Sequence, residues 1–298
     1  MLTIEELVTD VKDLVPLPKS YLRIQELVND PDSSQDDVTK VIMNDAALTS
    51  RILRIANSAY LGLAAKVDTI GRAVNVLGLN QVHDLALASA AVGSLARIKP
   101  DSLNINDFWR RSVYCAVVAR IIAKQRRLAS AERLFVSGLL HDSGHLLLAH
   151  RHPQRYAELL AKSIDSTRPM AVIEQEELGF TYAELGAALL DTWQLPDGIV
   201  APVRHHVREF DEVPTEYVAE VSIMHVAAVI CRASMWRSES DEPVPEFNPM
   251  ALQVYAVDDE KTEAIMLEAD DIVVEAMSLL LPSASAPPQR RSAVRSVA

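Results

Sequence analysis

Glycine, aromatic residues and cysteine are all scarce in this sequence. Nine glycines in 298 residues amount to about 3%, against a usual content of ~7%, and aromatic side chains make up only 5%. Few glycines disfavour a β-sandwich or barrel, because such folds need many tight turns. The two cysteines, Cys115 and Cys231, lie among apolar residues and form no CxxC motif. We therefore expect buried thiols and a cytoplasmic location rather than a disulfide-linked secreted domain.

The sequence has few basic residues and no long apolar run. It therefore lacks the features of a nucleic-acid-binding protein and those of a membrane-spanning protein. The 29 Lys and Arg residues are outnumbered by 41 Asp and Glu residues, which gives a net charge of −12. Without a segregated basic patch, this charge repels phosphate backbones, so we expect no nucleic-acid partner. Weakly polar runs such as Leu85–Ala96 are shorter than the ~20 residues that cross a bilayer. The N-terminus is acidic and amphipathic rather than a signal peptide, so we expect no membrane span.

Helix-forming patterns occupy most of the chain. Hydrophobic residues make up 49% of the sequence, and no convincing strand pattern occurs. Two capping boxes, Thr3 with Glu6 and Thr181 with Glu184, predict helix starts. Apolar periodicity predicts three long helices, Asp107–Arg127 capped by Asn106, Ser130–His150 and Glu260–Leu281. The fold is therefore predicted to be all-α.

Changes in composition divide the chain into three parts. A polar connection over residues 100–106 predicts an N-terminal helical subdomain over 1–100 and a second helical subdomain over 101–281. Residues 282–298 have the composition of a disordered tail. In the helix before this tail, apolar residues recur at spacings of 4, 3, 4 and 3 from Ile265 to Leu279. Further apolar residues widen the stripe, which favours packing on the body of the protein over a dimer seam.

One stretch, from Gly138 to His145, has the residue types of a chemical site. His141 and Asp142 can both bind a divalent metal, and His145 follows His141 by four residues, on the same face of a helix. A lone His-x3-His pattern is weak evidence for metal. The alternative interpretation is a polar cluster satisfied by hydrogen bonds between helices.

Two other histidine pairs favour ordinary structural roles. His205 and His206 lie at the end of a predicted helix, where histidine complements the helix dipole. His83 and Asp84 repeat the His-Asp dipeptide without a supporting context, so we interpret them as surface polar residues. Phe108 and Trp109 at a helix start favour a role as core anchors.

Several segments together resemble the HDOD (HD-related output domain) family of bacterial signalling proteins. The resemblance runs from about Val15 to about Ala233, and its segments are 29–62 (NDPDSSQDDVTKVIMNDAALTSRILRIANSAYLG), 68–82 (DTIGRAVNVLGLNQV), 108–112 (FWRRS), 134–149 (LFVSGLLHDSGHLLLA), 177–206 (ELGFTYAELGAALLDTWQLPDGIVAPVRHH) and the helix around His225. It implies an N-terminal helical bundle packed against a bundle similar to that of HD phosphohydrolases.

The resemblance also implies where a metal site would lie and where this sequence departs from it. Catalytic HD phosphohydrolases hold metal with a His, a His-Asp pair and a distant Asp. The pair is His141-Asp142 here, whereas Arg111 aligns with the first His and Ala228 with the distant Asp. A guanidinium keeps its proton, so Arg111 would repel a metal ion and pair with Asp142. His145 and Tyr182 replace a Lys and a His of the family pattern.

These departures imply a non-catalytic signalling module with a degenerate HD site and no cofactor. We expect it to act in trans on a signalling partner, such as a receiver, a kinase or a cyclic-dinucleotide enzyme, and to be able to form a homodimer. One alternative is a metal-dependent phosphohydrolase acting on a nucleotide, with Fe, Mn, Mg or Zn held by His141, Asp142, His205 and His206. A second alternative is a nucleotide-binding sensor without turnover.

Overall fold

The chain is all-α, as predicted, in the residues that a computed structural model describes. These are residues 2–11, 13–58, 61, 63, 66–236 and 242–281, so the predicted tail over 282–298 lies outside the described residues. No strand occurs among them. The helices are α1 (Ile4–Val11), α2 (Lys19–Asn29), α3 (Gln35–Met43), α4 (Ala46–Ala56), α5 (Ile70–Leu77), α6 (Leu79–Leu95), α7 (Ile105–Gln125), α8 (Ala131–Leu140), α9 (Ser143–Arg151), α10 (Pro153–Ser166), α11 (Met170–Leu178), α12 (Tyr182–Thr192), α13 (Asp197–His205), α14 (Val218–Trp236), α15 (Pro249–Val254) and α16 (Asp259–Leu280).

Local capping explains where several helices begin. The Thr181 hydroxyl accepts a bond from the backbone N–H of Glu184, whose carboxylate accepts one from the backbone N–H of Thr181 at 2.9 Å. This reciprocal box confirms the predicted start of α12. At α7 the predicted cap was wrong by two residues. Asn104, not Asn106, caps the helix, because its side chain accepts bonds from the first free backbone N–H groups.

The bundle places α2–α6 together at the N-terminal end and α7–α14 in a larger group. The two groups meet where α6 packs on α8, and α1 crosses to lie against α9 and α12. Helices α7 and α8 approach closely, since a Cβ on Gly138 would lie 2.6 Å from the Cα atom of Ala116. Phe108 and Trp109 are buried in this core, as predicted.

The single helix predicted over Ser130–His150 is two helices. α8 ends at Leu140 and α9 begins at Ser143, so His141 and Asp142 form the junction. The backbone of α9 at Gly144 lies so close to α12 that a Cβ there would be 2.0 Å from the Tyr182 carbonyl oxygen. The apolar pattern over this stretch predicts one continuous helix. The structure instead has two helices, and the second packs closely against α12.

The C-terminal helix α16 docks on the body of the protein, as predicted. It packs mainly on α7 and also contacts α4, α6 and α14. The stripe that it buries comprises Ile265, Met266, Ala269, Val273, Ala276, Met277 and Leu280. Ile272 and Leu279, which belong to the apolar stripe predicted from the sequence, are only partly buried.

His83 and Asp84 are buried, so their interpretation as surface residues was wrong. The Tyr21 hydroxyl lies 3.2 Å from His83 Nε2, and His83 Nδ1 lies 3.3 Å from Asp84 Oδ1. Helix α6 has apolar residues on nearly every face and is enclosed by α2, α4, α5 and α8. Its polar pair is consequently retained in the interior by mutual hydrogen bonds.

By length and composition, one segment among the described residues could cross a membrane. This segment, Thr215–Ser234, has a mean hydropathy of 1.3, and half of it is buried inside the protein. The apolar runs considered in the sequence analysis did not include it. Most of this segment is α14, which packs against α7, α13 and α15. Core packing accounts for its apolar sequence.

Candidate functional site

The junction between α8 and α9 places a carboxylate against an arginine from α7. Arg111 Nε and Nη2 donate to Asp142 Oδ2 at 3.1 and 2.9 Å. The Asp142 side chain is fully buried and that of Arg111 is 8% exposed, so the contact is a buried ion pair. The predicted contact between these two residues is confirmed.

His145 binds the other oxygen of the same carboxylate. Its Nδ1 lies 2.6 Å from Asp142 Oδ1, and its Nε2 lies 3.1 Å from Glu174 Oε1 on α11, close enough for an ion pair but without hydrogen-bond alignment. Burial opposes a charged ring here, but the two carboxylates outweigh it and raise the pKa of His145 to about 9. Asp142 likewise has a pKa well below its ordinary value despite burial, because Arg111 and His145 favour the anion. His145 is therefore an imidazolium clamped between two carboxylates.

We predict that the folded state loses stability as the pH rises from 6.5 towards 9. Below pH 6.5 His145 is protonated in both the folded and unfolded chains, so its stabilising contribution is fully present. Between pH 6.5 and the folded pKa of about 9, the unfolded chain releases the proton and the folded chain retains it, so stability declines. The loss is on the order of 3 kcal/mol. Urea unfolding at several pH values should show this decline in the wild type and a flatter dependence in His145→Gln; equal slopes would contradict it.

His141 and His206 are neutral imidazoles facing each other. Their ring centroids are 5.7 Å apart in an edge-to-face arrangement. His141 Nδ1 donates to the Gly138 carbonyl at 2.7 Å, and His206 Nδ1 donates to the Val203 carbonyl at 2.8 Å. Burial lowers the pKa of His141 to about 4 and that of His206 to about 3. Each ring therefore presents an unprotonated Nε2.

Tyr182 links the charged histidine to the neutral pair. Its ring stacks on His145 with centroids 4.0 Å apart, and its hydroxyl donates to His206 Nε2 at 3.0 Å. Its backbone N–H donates to the second oxygen of Glu174 at 2.7 Å. Tyr182 thus stands at the position where the family pattern has a histidine. Its hydroxyl donates a hydrogen bond to His206.

The remaining predicted site residues divide between the cavity wall and its surroundings. Ala228 on α14 lines a cavity, as does His225 one turn earlier. His225 Nδ1 donates to the His206 carbonyl at 2.7 Å, and its Nε2 accepts the backbone N–H of Asn248 at 2.9 Å. His205, by contrast, is only partly buried, has no hydrogen-bond partner at Nδ1 and does not line the cavity.

The cavity has a volume of about 380 Å³ and adjoins the Arg111–Asp142 pair. Two guanidinium groups, those of Arg111 and Arg232, line it beside the rings of His141, Tyr182 and His206. Segment 242–249, which lies between α14 and α15, forms its outer wall. Residues 242–248 of this segment form no helix or strand, and α15 begins at Pro249.

The residues of this site do not fit a divalent metal. Arg111 and His145 occupy both oxygens of Asp142, and Ala228 offers no ligand at the position of the family's distant Asp. Among the described residues, no three His, Cys, Asp or Glu side chains converge as a metal-binding group. The alternative ligand set of His141, Asp142, His205 and His206 was therefore wrong as a cluster.

A comparison with protein families identifies the chain's relatives. The family model of the HDOD domain matches residues 14–209, more than half of the chain. The chain belongs to the HDOD family. The match covers Arg111, Asp142, Tyr182 and His206 but ends before α14, so Arg232 lies outside it.

Solved structures of similar proteins share this HDOD fold. The chain is 26% identical to a candidate phosphohydrolase from Shewanella amazonensis SB2B, with a TM-score of 0.67 and coverage of 92% of this chain and 96% of that one. An HDOD domain protein with unknown function from Geobacter sulfurreducens is 24% identical, with a TM-score of 0.70 and coverage of 93% and 95%.

A curated relative is considerably longer than this HDOD chain. An uncharacterised protein from Treponema pallidum (strain Nichols) is 26% identical over 224 residues, which are 74% of this chain and 43% of that protein. The chain therefore spans less than half the length of this relative.

Sequence reasoning missed three charged residues of the site. Glu174 lies 32 residues beyond Asp142 on α11, and Arg232 and Glu242 lie near the end of α14 and beyond it. None belongs to a local motif. A charged residue within an otherwise apolar helix, such as Arg232 in α14, was the one signal that could have drawn attention to them.

Proposed function

We propose that this HDOD chain is a non-catalytic signalling module whose degenerate HD site has become a buried ion-pair network. The observation that carries the proposal is the Arg111–Asp142 pair, which places a fixed positive charge where the resemblance expects a metal ligand. The Arg111 guanidinium lies 2.9 Å from Asp142 Oδ2. A metal cation at the same carboxylate would be repelled by this positive charge.

The chemistry of hydrolysis would need groups that this site has replaced. A metal ion activates water and polarises phosphate when carboxylate and imidazole ligands hold it. Here Asp142 bonds to Arg111 and His145, and Ala228 offers no second carboxylate. The histidine network instead joins α12 and α14 to the end of α13 through hydrogen bonds to His206, and it contacts α8 through the rings of His141 and His206.

The signalling role would be exerted on another protein in the cytoplasm. The partner classes we propose are a receiver, a kinase or a cyclic-dinucleotide enzyme acting in trans, with a homodimer as a further possibility. Support comes from the family itself and from the candidate signal transduction protein of Marinobacter aquaeolei VT8, whose fold the chain shares at a TM-score of 0.68 and 21% identity, covering 93% of this chain and 64% of that one.

We predict no turnover of phosphate esters by the full chain. Hydrolysis of p-nitrophenyl phosphate and of cyclic dinucleotides, with Mg²⁺, Mn²⁺ or Fe²⁺, should not exceed that of a His141→Ala/Asp142→Asn double variant. Protein purified without chelator or affinity-tag metal should carry less than stoichiometric metal. Stoichiometric metal, or activity that the double variant lacks, would favour the phosphohydrolase alternative.

The cavity favours a second candidate function, that of a small-ligand sensor without turnover. Its volume is in the range of small-molecule sites, and it joins two guanidinium groups to neutral rings. Ligand binding there would bear directly on α14 and on segment 242–249. This candidate is compatible with a signalling module, since a ligand could set the state that the module transmits.

A further inference from the structure

We propose that the cavity binds a small organic anion at Arg111 and Arg232, and that the Glu242 carboxylate occupies this anion subsite from within the chain. The proposal deepens the sensor function and rests on the site being non-catalytic. It assigns the ligand class, the two residues that bind the charge and the group that competes with the ligand.

The two arginines and Glu242 form the geometry of an anion site. Arg111 uses Nε and Nη2 for Asp142, which leaves Nη1 facing Glu242 Oε1 at 3.5 Å. Arg232 Nη1 donates to Glu242 Oε2. One carboxylate thus bridges two guanidinium groups, an arrangement suited to the planar oxygens of a carboxylate or to a phosphate.

Charge explains why an anion is needed at this place. Asp142 bonds to Arg111 and Glu174 faces the imidazolium of His145, so among the described residues the carboxylate that bonds to Arg232 is that of Glu242. Although burial opposes the charged form, Arg232 and Arg111 hold the pKa of Glu242 below its ordinary value. Without an anion the two guanidinium groups would repel each other in a poorly solvated pocket.

The position of Glu242 in the chain makes it replaceable. It lies in segment 242–249, which contains Pro243, Pro245 and Pro249 and has neither helix nor strand before α15 begins at Pro249. Its side chain is 16% exposed, whereas the Asp142 side chain is fully buried at a helix junction. Displacing Glu242 would break its contacts with Arg111 and Arg232, and a ligand anion would restore both of these contacts.

The rest of the cavity wall indicates the body of the ligand. His141 and His206 are neutral at physiological pH and add no charge. Apolar residues such as Met170, Val229 and Phe247 make up most of the remaining lining, which also includes Arg208, Glu209 and Glu246. A ligand with one anionic group and a flat or apolar body would bury that body against these side chains.

Equilibrium binding of three probes to the full chain tests the proposal. The probes are phenyl phosphate, benzoate and inorganic phosphate, measured by calorimetry on the wild type, on Glu242→Gln and on the control Glu216→Gln, which removes an exposed carboxylate that does not line the cavity. If Glu242 is the internal competitor, Glu242→Gln should bind phenyl phosphate at least about tenfold more tightly than the wild type, because apparent affinity falls with the fraction of competent sites. Glu216→Gln should bind like the wild type.

A double variant distinguishes the anion subsite from a general effect on the segment. Arg232→Gln/Glu242→Gln removes both members of one ion pair, so no unpaired charge is left, and it should lose the gain in affinity. Tightening for benzoate as well as phenyl phosphate would identify a general anion site, and tightening for phenyl phosphate alone a phosphate site. Inorganic phosphate should bind more weakly than phenyl phosphate, because it lacks the apolar body.

Two results would overturn the proposal: no tightening in Glu242→Gln with any probe, or equal tightening in Glu216→Gln. Failure of the proposed function has a separate readout, the release of phenol from phenyl phosphate during the same titrations. A chain that releases phenol is an enzyme whatever its affinity, whereas a chain that neither releases phenol nor responds to Glu242→Gln is non-catalytic without this anion site.

Discussion

Replacing Arg111 with alanine is expected to lower the free energy of unfolding by about 3–5 kcal/mol. The variant removes the guanidinium that bonds to Asp142 Oδ2 and leaves a fully buried carboxylate with His145 as its remaining charged partner. It also removes one of the two arginines that face Glu242. Because the stability of a domain is itself only about 5–15 kcal/mol, urea unfolding of the variant should show a large shift of the midpoint.

The neighbouring residue supplies the control for this prediction. Arg110 precedes Arg111 on the same helix and is half-buried, so Arg110→Ala tests the loss of an arginine from α7 without loss of the buried pair. It should cost about 0.5 kcal/mol or less. An Asp142→Asn substitution in the Arg111→Ala background should recover part of the loss, since it removes the unpaired charge. If Arg111→Ala unfolds at the midpoint of Arg110→Ala, the ion pair does not stabilise the fold.

Deleting residues 260–298 is expected to destabilise the protein by at least about 5 kcal/mol and to cause aggregation. Seven apolar side chains of α16 are buried, and their removal would expose the face of α7 on which they pack. The Tyr114 hydroxyl on α7 donates to the Met266 carbonyl at 3.4 Å, so this contact would be lost as well. An exposed apolar patch of this size promotes association.

A shorter truncation is the matched control. Deleting only residues 282–298 should change neither the melting temperature nor the light scattering, because that sequence has no apolar periodicity. Thermal melting and light scattering of the two truncated chains provide the comparison. A monodisperse chain without residues 260–298 that melts like the wild type would show that α16 contributes nothing to the stability of the fold.

The histidine and arginine contacts connect elements that are far apart in sequence. Arg111 on α7 contacts Asp142 at the start of α9, and His145 extends the connection to Glu174 on α11. Glu242 joins the same network from beyond α14. A signal that changes any one of these contacts would therefore reach several helices, which is the physical basis of the signalling proposal.

The helical class and many of the helix starts can be predicted from the amino-acid sequence alone. Thr181 and Glu184 are three residues apart, so the atoms of the capping box are close as soon as one turn forms. The apolar stripe of α16 can likewise be predicted from the spacing of its apolar residues, because a helix brings every third or fourth residue to one face. Interactions of this range depend on local geometry alone.

The contact between Arg111 and Asp142 was predictable only through the family resemblance. The two residues are 31 positions apart on different helices, and no local rule brings them together. Once the resemblance aligned Arg111 with a metal ligand, charge and the permanent proton of the guanidinium made pairing the expected outcome.

Contacts between distant elements are needed to explain three further features. These are the helix break at His141, the burial of His83 and the roles of Glu174, Arg232 and Glu242. The apolar pattern continues through His141, yet α8 ends at Leu140 and α9 starts at Ser143, where Gly144 lies close to α12. Glu174 and Glu242 reach the site because α11 and segment 242–249 pack beside it. Whether a charged side chain faces solvent or a buried partner depends on elements that are distant in the sequence. The positions of these elements follow from the packing of the whole bundle and not from a local sequence pattern.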